Sequence, residues 1–317
     1  MFLRRPSRRR NLTVRKAAEL LVRKPDILQA LSQLLPEDYK KCSVVQLRHE
    51  EDNAPYDVWR VDAGDTRWIL KKAKGYEYDV YTSFLTPPCV QAPLLKGTVI
   101  WNQETYLLEA YIDGHNLQKA SRADLKIALD ALIALQGAYW ENTALAERCY
   151  SFAESLPHRQ RRGQFLNHPV LEQAYQIFLK AYEAVPRTLC HDDLLPFNVL
   201  IEDHRAYLID WEYAGILPYP TSLVRLLAHG EDAPDAFFVL SEEDRQFGID
   251  YYYENLIQAK GISYADYRRT LSLFFLYEYC EWIFVGNRYQ NTDGPYYQQY
   301  LPIALRQAEC ILAAENS

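Results

Sequence analysis

The stretch from Cys190 to Gly215, CHDDLLPFNVLIEDHRAYLIDWEYAG, constrains this chain more than any other. It puts polar groups where a packed core has no use for them. A His, two carboxylates and an amide (His191, Asp192, Asp193, Asn198) lead into the apolar run Val199-Leu200-Ile201. The turn-like Glu202-Asp203-His204-Arg205 follows, then a second apolar run, Ala206 to Ile209, which ends on Asp210. Two short apolar runs around a polar break predict a hairpin. A turn centred on residue 204 would set Asn198 opposite Asp210, with β-carbons roughly 4.5–5.5 Å apart. An amide oxygen and a carboxylate so placed can share a hard cation, and Mg²⁺ takes oxygen ligands at about 2.0–2.1 Å. Asn198 and Asp210 therefore read as metal ligands, with a further carboxylate, Asp193, just before them.

A chain of 317 residues can bury a large core and is expected to split into two lobes or domains. No run of eighteen apolar residues exists, so no membrane span is expected. The basic start, MFLRRPSRRR, has no apolar segment of the length a secretory signal needs. Six scattered Cys without CxxC spacing read as reduced thiols of a cytoplasmic protein, not as a disulfide framework or zinc site. Residues 1–24 carry nine Lys/Arg against Glu19, a balance of +8; the whole chain is −7, leaving −15 on the rest. No aromatic residues interleave with those arginines, as a single-strand nucleic-acid binder would need, so a solvated tail is the simpler reading. Acidity in the body would steer a cationic substrate inward, although ordinary solubility accounts for it as well.

Helical periodicity is expected over Thr13–Lys24 and Pro25–Leu35, with Pro25 in a first helical turn and Pro36 ending the segment. From Cys42 the pattern changes to strands: Ser43–Leu47, Tyr56–Val61, Thr66–Lys71, Leu94–Trp101 and Thr105–Tyr111. Gly75 opens one helical segment, Tyr76–Leu85, between the third and fourth. The order βββαββ predicts a small antiparallel sheet with one helix, an α+β arrangement. A boundary is expected at Ile112-Asp113-Gly114. Beyond it, Ser121 caps a helix to about Trp140, residues 150–168 read as irregular around a basic cluster, and Pro169–Ala184 is helical. Further helices are expected near 219–229, 242–259, 264–286 and 296–314. The predicted organisation is a basic helical extension (1–37), a sheet-bearing lobe (38–112) and a helical lobe (113–317).

Lys71 at a strand end, Glu77 on the next helix, then Asp193, Asn198 and Asp210 form a series that is more specific than any member. A strand-end Lys alone is usually solvated, and a first-turn Glu alone usually favours the helix dipole. With His191-x-Asp193-x4-Asn198 and Ile209-Asp210-Trp211-Glu212 in this order, the chain resembles the aminoglycoside phosphotransferase and choline kinase family, a branch of the protein-kinase-like fold. The resemblance covers roughly residues 40–310, and IDWEYAG looks most like bacterial choline and ethanolamine kinases. It implies an ATP- and Mg²⁺-dependent kinase acting on a hydroxyl of a small metabolite, choline- or ethanolamine-like, an amino sugar or an aminoglycoside. It further implies Asp193 as the group that orients the hydroxyl and takes its proton, and Asn198 and Asp210 as Mg²⁺ ligands. Lys71 would meet the phosphates, positioned by Glu77. Glu109 to Tyr111 would be the hinge against the adenine, and His191 a structural residue.

Several positions depart from that pattern. The loop His49–Pro55 contains no Gly, whereas close approach to phosphates favours residues tolerating positive φ; only Asn53 suits that. Asp192 stands where Gly or Asn is usual, and is expected either to meet a cationic substrate or to bond within its loop. Leu195 replaces a His or Gln. The spacing of Lys71 and Glu77 is tight, with Lys72 and Asp79 as fallback candidates. Thr221-Ser222 occupies the place of a supporting Asp. Tyr277–Trp282 and Tyr289–Tyr300 combine aromatics with acids, which reads as a cage for a cationic acceptor or as a bulky helix core. The glycine-free loop motivates a second reading, a nucleotide-binding or scaffold protein that has lost catalysis.

Overall fold

The computed structural model describes residues 25–48, 53, 55–86, 91–119, 121–230, 240–289 and 295–315. The helix expected over Thr13–Lys24 and most of the acidic loop lie outside the described residues. The first helix, α1 (Pro25–Leu34), precedes a five-stranded antiparallel sheet. Its strands are β1 (Ser43–Arg48), β2 (Pro55–Ala63), β3 (Thr66–Lys72), β4 (Leu95–Trp101) and β5 (Glu104–Ala110), in the order β1-β2-β3-β5-β4. All five expected strands are present to within a residue or two. Helix α2 (Glu77–Ser83) lies between β3 and β4. The β2–β3 and β4–β5 connections are two-residue turns through Gly64 (φ 62) and through Asn102 and Gln103 (φ 49 and 66). Positive φ at such sites matches the right-handed twist of the strands.

Ile27, Ala30 and Leu31 of α1 recur at helical spacing and share one core with Val44, Trp59, Val61, Leu70, Val99 and Leu108 of the sheet. Helix α2 faces the other way: Val80, Tyr81 and Phe84 belong to the core of the helical part. Phe84 meets Tyr139 edge-on at 5.2 Å, and the Tyr139 hydroxyl donates to the Phe84 carbonyl at 2.7 Å. The helix that carries Glu77 is therefore pinned to the second lobe.

That lobe runs β6 (His115–Asn116), α3 (Arg122–Ala138), α4 (Phe152–Gly163), α5 (Pro169–Ala184) and β7 (Arg187–Cys190). The hairpin β8 (Val199–Glu202) and β9 (Arg205–Leu208) follows, then β10 (Gly215–Pro218), α6 (Pro220–Leu227), α7 (Glu242–Tyr252), α8 (Tyr264–Tyr289) and α9 (Pro295–Glu315). Ser121 caps α3 and forms a reciprocal pair with Asp124, and Ser263 and Asp266 do the same work at the start of α8. The stretch expected to be irregular, 150–168, instead contains α4. Its start is a capping box, Ser151 with Glu154, hidden by the polar composition and by Pro157 inside the helix. Among the described residues no helix is long and apolar enough to cross a membrane.

Candidate active site

The hairpin forms, with a register one residue away from the expected one. Asp203 and His204 are both left-handed (φ 47 and 61), so the turn holds two residues and Val199 pairs with Leu208, Leu200 with Tyr207. A turn centred between 203 and 204 sets Asn198 opposite Ile209, whose N–H donates to the Asn198 carbonyl at 3.0 Å. Asp210 lies one residue past the ladder, in the left-handed region at φ 69. The strand pairing thus carries Asn198, and a local kink carries Asp210.

Asp210 meets the first lobe through Lys71. The Lys71 ammonium donates to Glu77 Oε1 at 2.6 Å and to Asp210 Oδ1 at 3.2 Å. Glu77 Oε1 also accepts the Trp211 N–H at 3.3 Å, so one carboxylate oxygen joins β3, α2 and the segment after Asp210. The six-residue spacing is accommodated at Gly75, which is left-handed (φ 50) and packs directly on the Glu212 carbonyl, where a side chain would collide. Tyr76 N–H donates to that same carbonyl at 3.2 Å. The fallback candidates are engaged elsewhere: Lys72 pairs with Glu104, and Asp79 with Arg148.

Two carboxylates therefore contact one cation, and the charge of Glu109 acts on it as well. Burial alone would pull the Lys71 ammonium down, but Glu77, Asp210 and Glu109 more than reverse this and hold it charged above its usual range. Burial pushes the Glu77 carboxyl up to about 7, against the pull of Lys71. Burial also acts on Asp210, yet its side chain keeps 45% exposure and Lys71 brings it below the ordinary carboxylate range. Asp210 is thus an ionised carboxylate at neutral pH. Asn198 donates its amide N–H to the Asp193 carbonyl at 2.8 Å, which leaves its amide oxygen for another partner. Among the described residues no three His, Cys, Asp or Glu side chains converge as a metal cage. One carboxylate and one amide oxygen suit Mg²⁺, which keeps waters and phosphate oxygens in its shell.

The loop bearing Asp193 is held from below. His191 is buried and packs against Trp211 with the rings tilted; its Nε2 lies 2.8 Å from the Ile209 carbonyl, and burial lowers its basicity, so it is a neutral structural ring. Its backbone N–H donates to Ser222 Oγ at 2.9 Å, so a hydroxyl from the Thr221-Ser222 pair, which replaces the usual Asp, ties down this loop. Asp192, left-handed at φ 56, has a side chain only 7% exposed, and among the described hydrogen bonds that side chain makes none within its own loop. Arg159 of α4 donates from Nη2 to both of its oxygens at 2.7 Å. Asp193 accepts from Arg225 of α6 through Oδ1 alone, at 3.2 and 2.7 Å.

The hinge and the acceptor side differ from expectation in who is free. The N–H groups of Ala110 and Tyr111 are donated to the Leu94 and Arg67 carbonyls, and the Tyr111 ring lies under the Arg67 guanidinium at 4.7 Å. The Glu109 side chain turns inward and accepts from the Tyr81 hydroxyl; burial raises its carboxyl above the usual range. In α8, Glu278 is bonded to Arg225 and Trp282, and Glu281 to Arg162. Arginines lie over the faces of Tyr277, Phe284 and Trp282 at about 5 Å. Glu278 and Glu281, expected to line a cationic cage, are therefore neutralised from within the protein, and residues 290–294 of the second expected stretch lie outside the described residues. Arg159, Ser222, Arg225 and Tyr81 were not expected at the site. Arg225 did carry a signal, since a charge inside the run Leu223–Leu227 must find a partner if buried.

A model of the phosphotransferase enzyme family matches residues 90–255, just over half of the chain. Protein LicA of Haemophilus influenzae is 56% identical over 27 residues, 8% of this chain and 10% of that protein, so the match spans only about a tenth of this relative. Among solved structures, Plasmodium vivax ethanolamine kinase superposes with a TM-score of 0.62 at 13% identity, covering 89% of this chain and 88% of that one. Choline kinase LicA from Streptococcus pneumoniae gives 0.55 at 16%, covering 90% and 98%. An aminoglycoside-3'-phosphotransferase of type VIII gives 0.53 at 19%, covering 79% and 97%. At these identities the structural likeness is one of fold, the protein-kinase-like pair of a small antiparallel sheet and a helical lobe. Joined to the family match that spans the hinge, Asp193 and Asp210, it makes this chain a member of the phosphotransferase enzyme family.

Proposed function

We propose that the chain is an ATP- and Mg²⁺-dependent kinase that transfers a phosphoryl group to a hydroxyl of a small metabolite. The observation that carries this reading is Lys71, which pairs with Glu77 and with Asp210, the latter 139 residues away in sequence, with Asp193 and Asn198 on the adjoining loop. Phosphoryl transfer asks the protein for alignment and charge neutralisation more than for covalent chemistry. Lys71, held cationic, meets the nucleotide phosphates. Asn198 and Asp210 would hold Mg²⁺, whose charge offsets that of the phosphates. The backbone of residues 109–112 borders the adenine. Asp193 accepts a hydrogen bond from the acceptor hydroxyl and aligns its oxygen. As that oxygen bonds to the γ-phosphorus, the bond from phosphorus to the β,γ-bridging oxygen breaks, its electron pair leaves on ADP, and the hydroxyl proton passes to Asp193.

Candidate acceptors are choline- or ethanolamine-like alcohols, amino sugars and aminoglycosides. The test is Mg-ATP turnover across such a panel, with Asp193→Asn as control; undiminished turnover by that variant would sink the assignment of Asp193. The glycine-free loop supports a second reading, a scaffold that binds nucleotide without turnover. Asn53, left-handed at φ 56, supplies the positive φ that glycine supplies in other loops. Mg-ATP at 100 times its dissociation constant stabilises a binding-competent protein by about 2.7 kcal/mol. A thermal shift of that size without turnover on any acceptor favours the scaffold, and no shift at all rejects both readings.

A further inference from the structure

Arg225 sits in the apolar face of α6, its side chain 6% exposed, between two carboxylates. Nε and Nη2 converge on Oδ1 of Asp193, and Nη1 donates to Glu278 Oε1 at 2.6 Å. Glu278 is itself buried, and Trp282 Nε1 donates to the same oxygen at 2.9 Å. The guanidinium lies 5.5 Å from the centre of the Trp282 ring. The fork is thus held by Glu278 and against the Trp282 ring before it meets Asp193. The Asp193 loop has its own anchors, its backbone in Ser222 and the Asn198 amide and its His191 ring on the Ile209 carbonyl. What Arg225 adds is control of the carboxylate.

An ungripped carboxylate turns about a broad, roughly two-fold terminal torsion and offers either oxygen in many orientations. Two donors on Oδ1 remove that freedom. Oδ2 accepts none of the described hydrogen bonds, and the Asp193 side chain keeps 20% exposure. We infer that Arg225 is a positioning residue for phosphoryl transfer: its fork grips Oδ1 of Asp193, presents Oδ2 to the acceptor hydroxyl, and is held in place by Glu278. The inference rests on the reading of Asp193 as the group that takes the hydroxyl proton. A Lys at 225 would keep the charge but not the planar fork, which needs several donors in one rigid plane.

The test measures Mg-ATP turnover with choline, ethanolamine, glucosamine, kanamycin and water as acceptors. In Arg225→Ala, kcat falls on the order of 10²-fold, the scale of a misplaced catalytic group, while KM for Mg-ATP is unchanged. Arg225→Lys falls similarly despite its charge. Guanidinium chloride at low millimolar concentration restores much of the kcat of Arg225→Ala and leaves Arg225→Lys unaffected. Wild-type kcat in Arg225→Lys, or a folded Arg225→Ala indifferent to guanidinium, overturns the inference. If Arg225→Ala fails to fold, the double variant Arg225→Ala/Glu278→Gln, which removes the facing buried charge, takes its place in the rescue. Asp193→Asn separates the two layers: an active Asp193→Asn removes the underlying reading, whereas a dead one beside a fully active Arg225→Lys removes only the role of Arg225. Wild-type protein without turnover on any acceptor, water included, refutes both.

Discussion

Replacing Arg159 by Met removes the cation that fastens the loop of Asp192 and Asp193 to α4, and its cost can be worked from the geometry. Nη2 reaches both oxygens of Asp192 at 2.7 Å, and the two side chains are 4% and 7% exposed. The guanidinium also lies 4.9 Å from the Tyr277 ring centre. Met fills similar volume, so most packing survives while the Asp192 carboxylate is left buried without its partner. Breaking a buried pair from one side costs about 3–5 kcal/mol. At roughly 2 °C per kcal/mol for a chain of this size, the melting temperature falls by about 6–10 °C. Asp192→Asn keeps an acceptor but loses the charge-assisted part of both bonds, so it also destabilises. In the double variant neither group is left as an uncompensated charge, so its loss is smaller than the sum of the single losses by at least about 1 kcal/mol. Urea unfolding followed by tryptophan fluorescence and by far-ultraviolet circular dichroism completes the cycle. Single losses that add to within about 0.5 kcal/mol, the range of independent sites, would refute the buried pair.

Three further outcomes are expected. Asp210→Asn and Asn198→Ala each raise the Mg²⁺ concentration needed for half-maximal turnover by at least about 10-fold, since even groups outside the metal's immediate shell alter affinity by 10–100-fold; an unchanged Mg²⁺ titration would exclude them as ligands. Lys71→Met leaves Glu77, Glu109 and Asp210 without their cation, so the protein melts lower and Mg-ATP no longer raises its melting temperature; undiminished stabilisation by Mg-ATP would remove Lys71 from the phosphate site. His229 is held well below its ordinary value by burial and by Arg225 and Arg245, so the folded protein keeps it neutral while the unfolded chain protonates it near 6.5. Its stabilising contribution is present above about pH 6.5 and is lost as pH falls toward the folded value. Wild type should therefore lose stability relative to His229→Gln between pH 7 and 5.5, and a constant difference in denaturation midpoint would contradict this.

Much of the framework was legible because its signals are local. Alternation and β-rich composition located the five strands, and Ser121 and Pro169 located the starts of α3 and α5. The order Lys71, Glu77, Asp193, Asn198, Asp210 pointed to one cleft, and the structure brings Lys71, Glu77 and Asp210 into direct contact. Helix α4 escaped notice because apolar periodicity dominates such reading, and its charged face and Pro157 outweighed a visible capping box. The hairpin register slipped because a turn of two residues and one of three have the same composition here; only the positive φ of both Asp203 and His204 decides between them.

By itself, the sequence determined which elements form, their order, and which residue types stand ready at the ends of strands and on the polar loop. Tertiary structure decided which charges are free. Asp192, Glu278 and Glu281 look available along the chain, yet each is matched by an arginine from another helix, 33, 53 and 119 residues away in sequence. Backbone periodicity is a property of neighbours and survives in the string of letters. Neutralisation of a buried charge is a property of pairs, and which pair forms depends on how α4, α6 and α8 pack around the loop of Asp192 and Asp193.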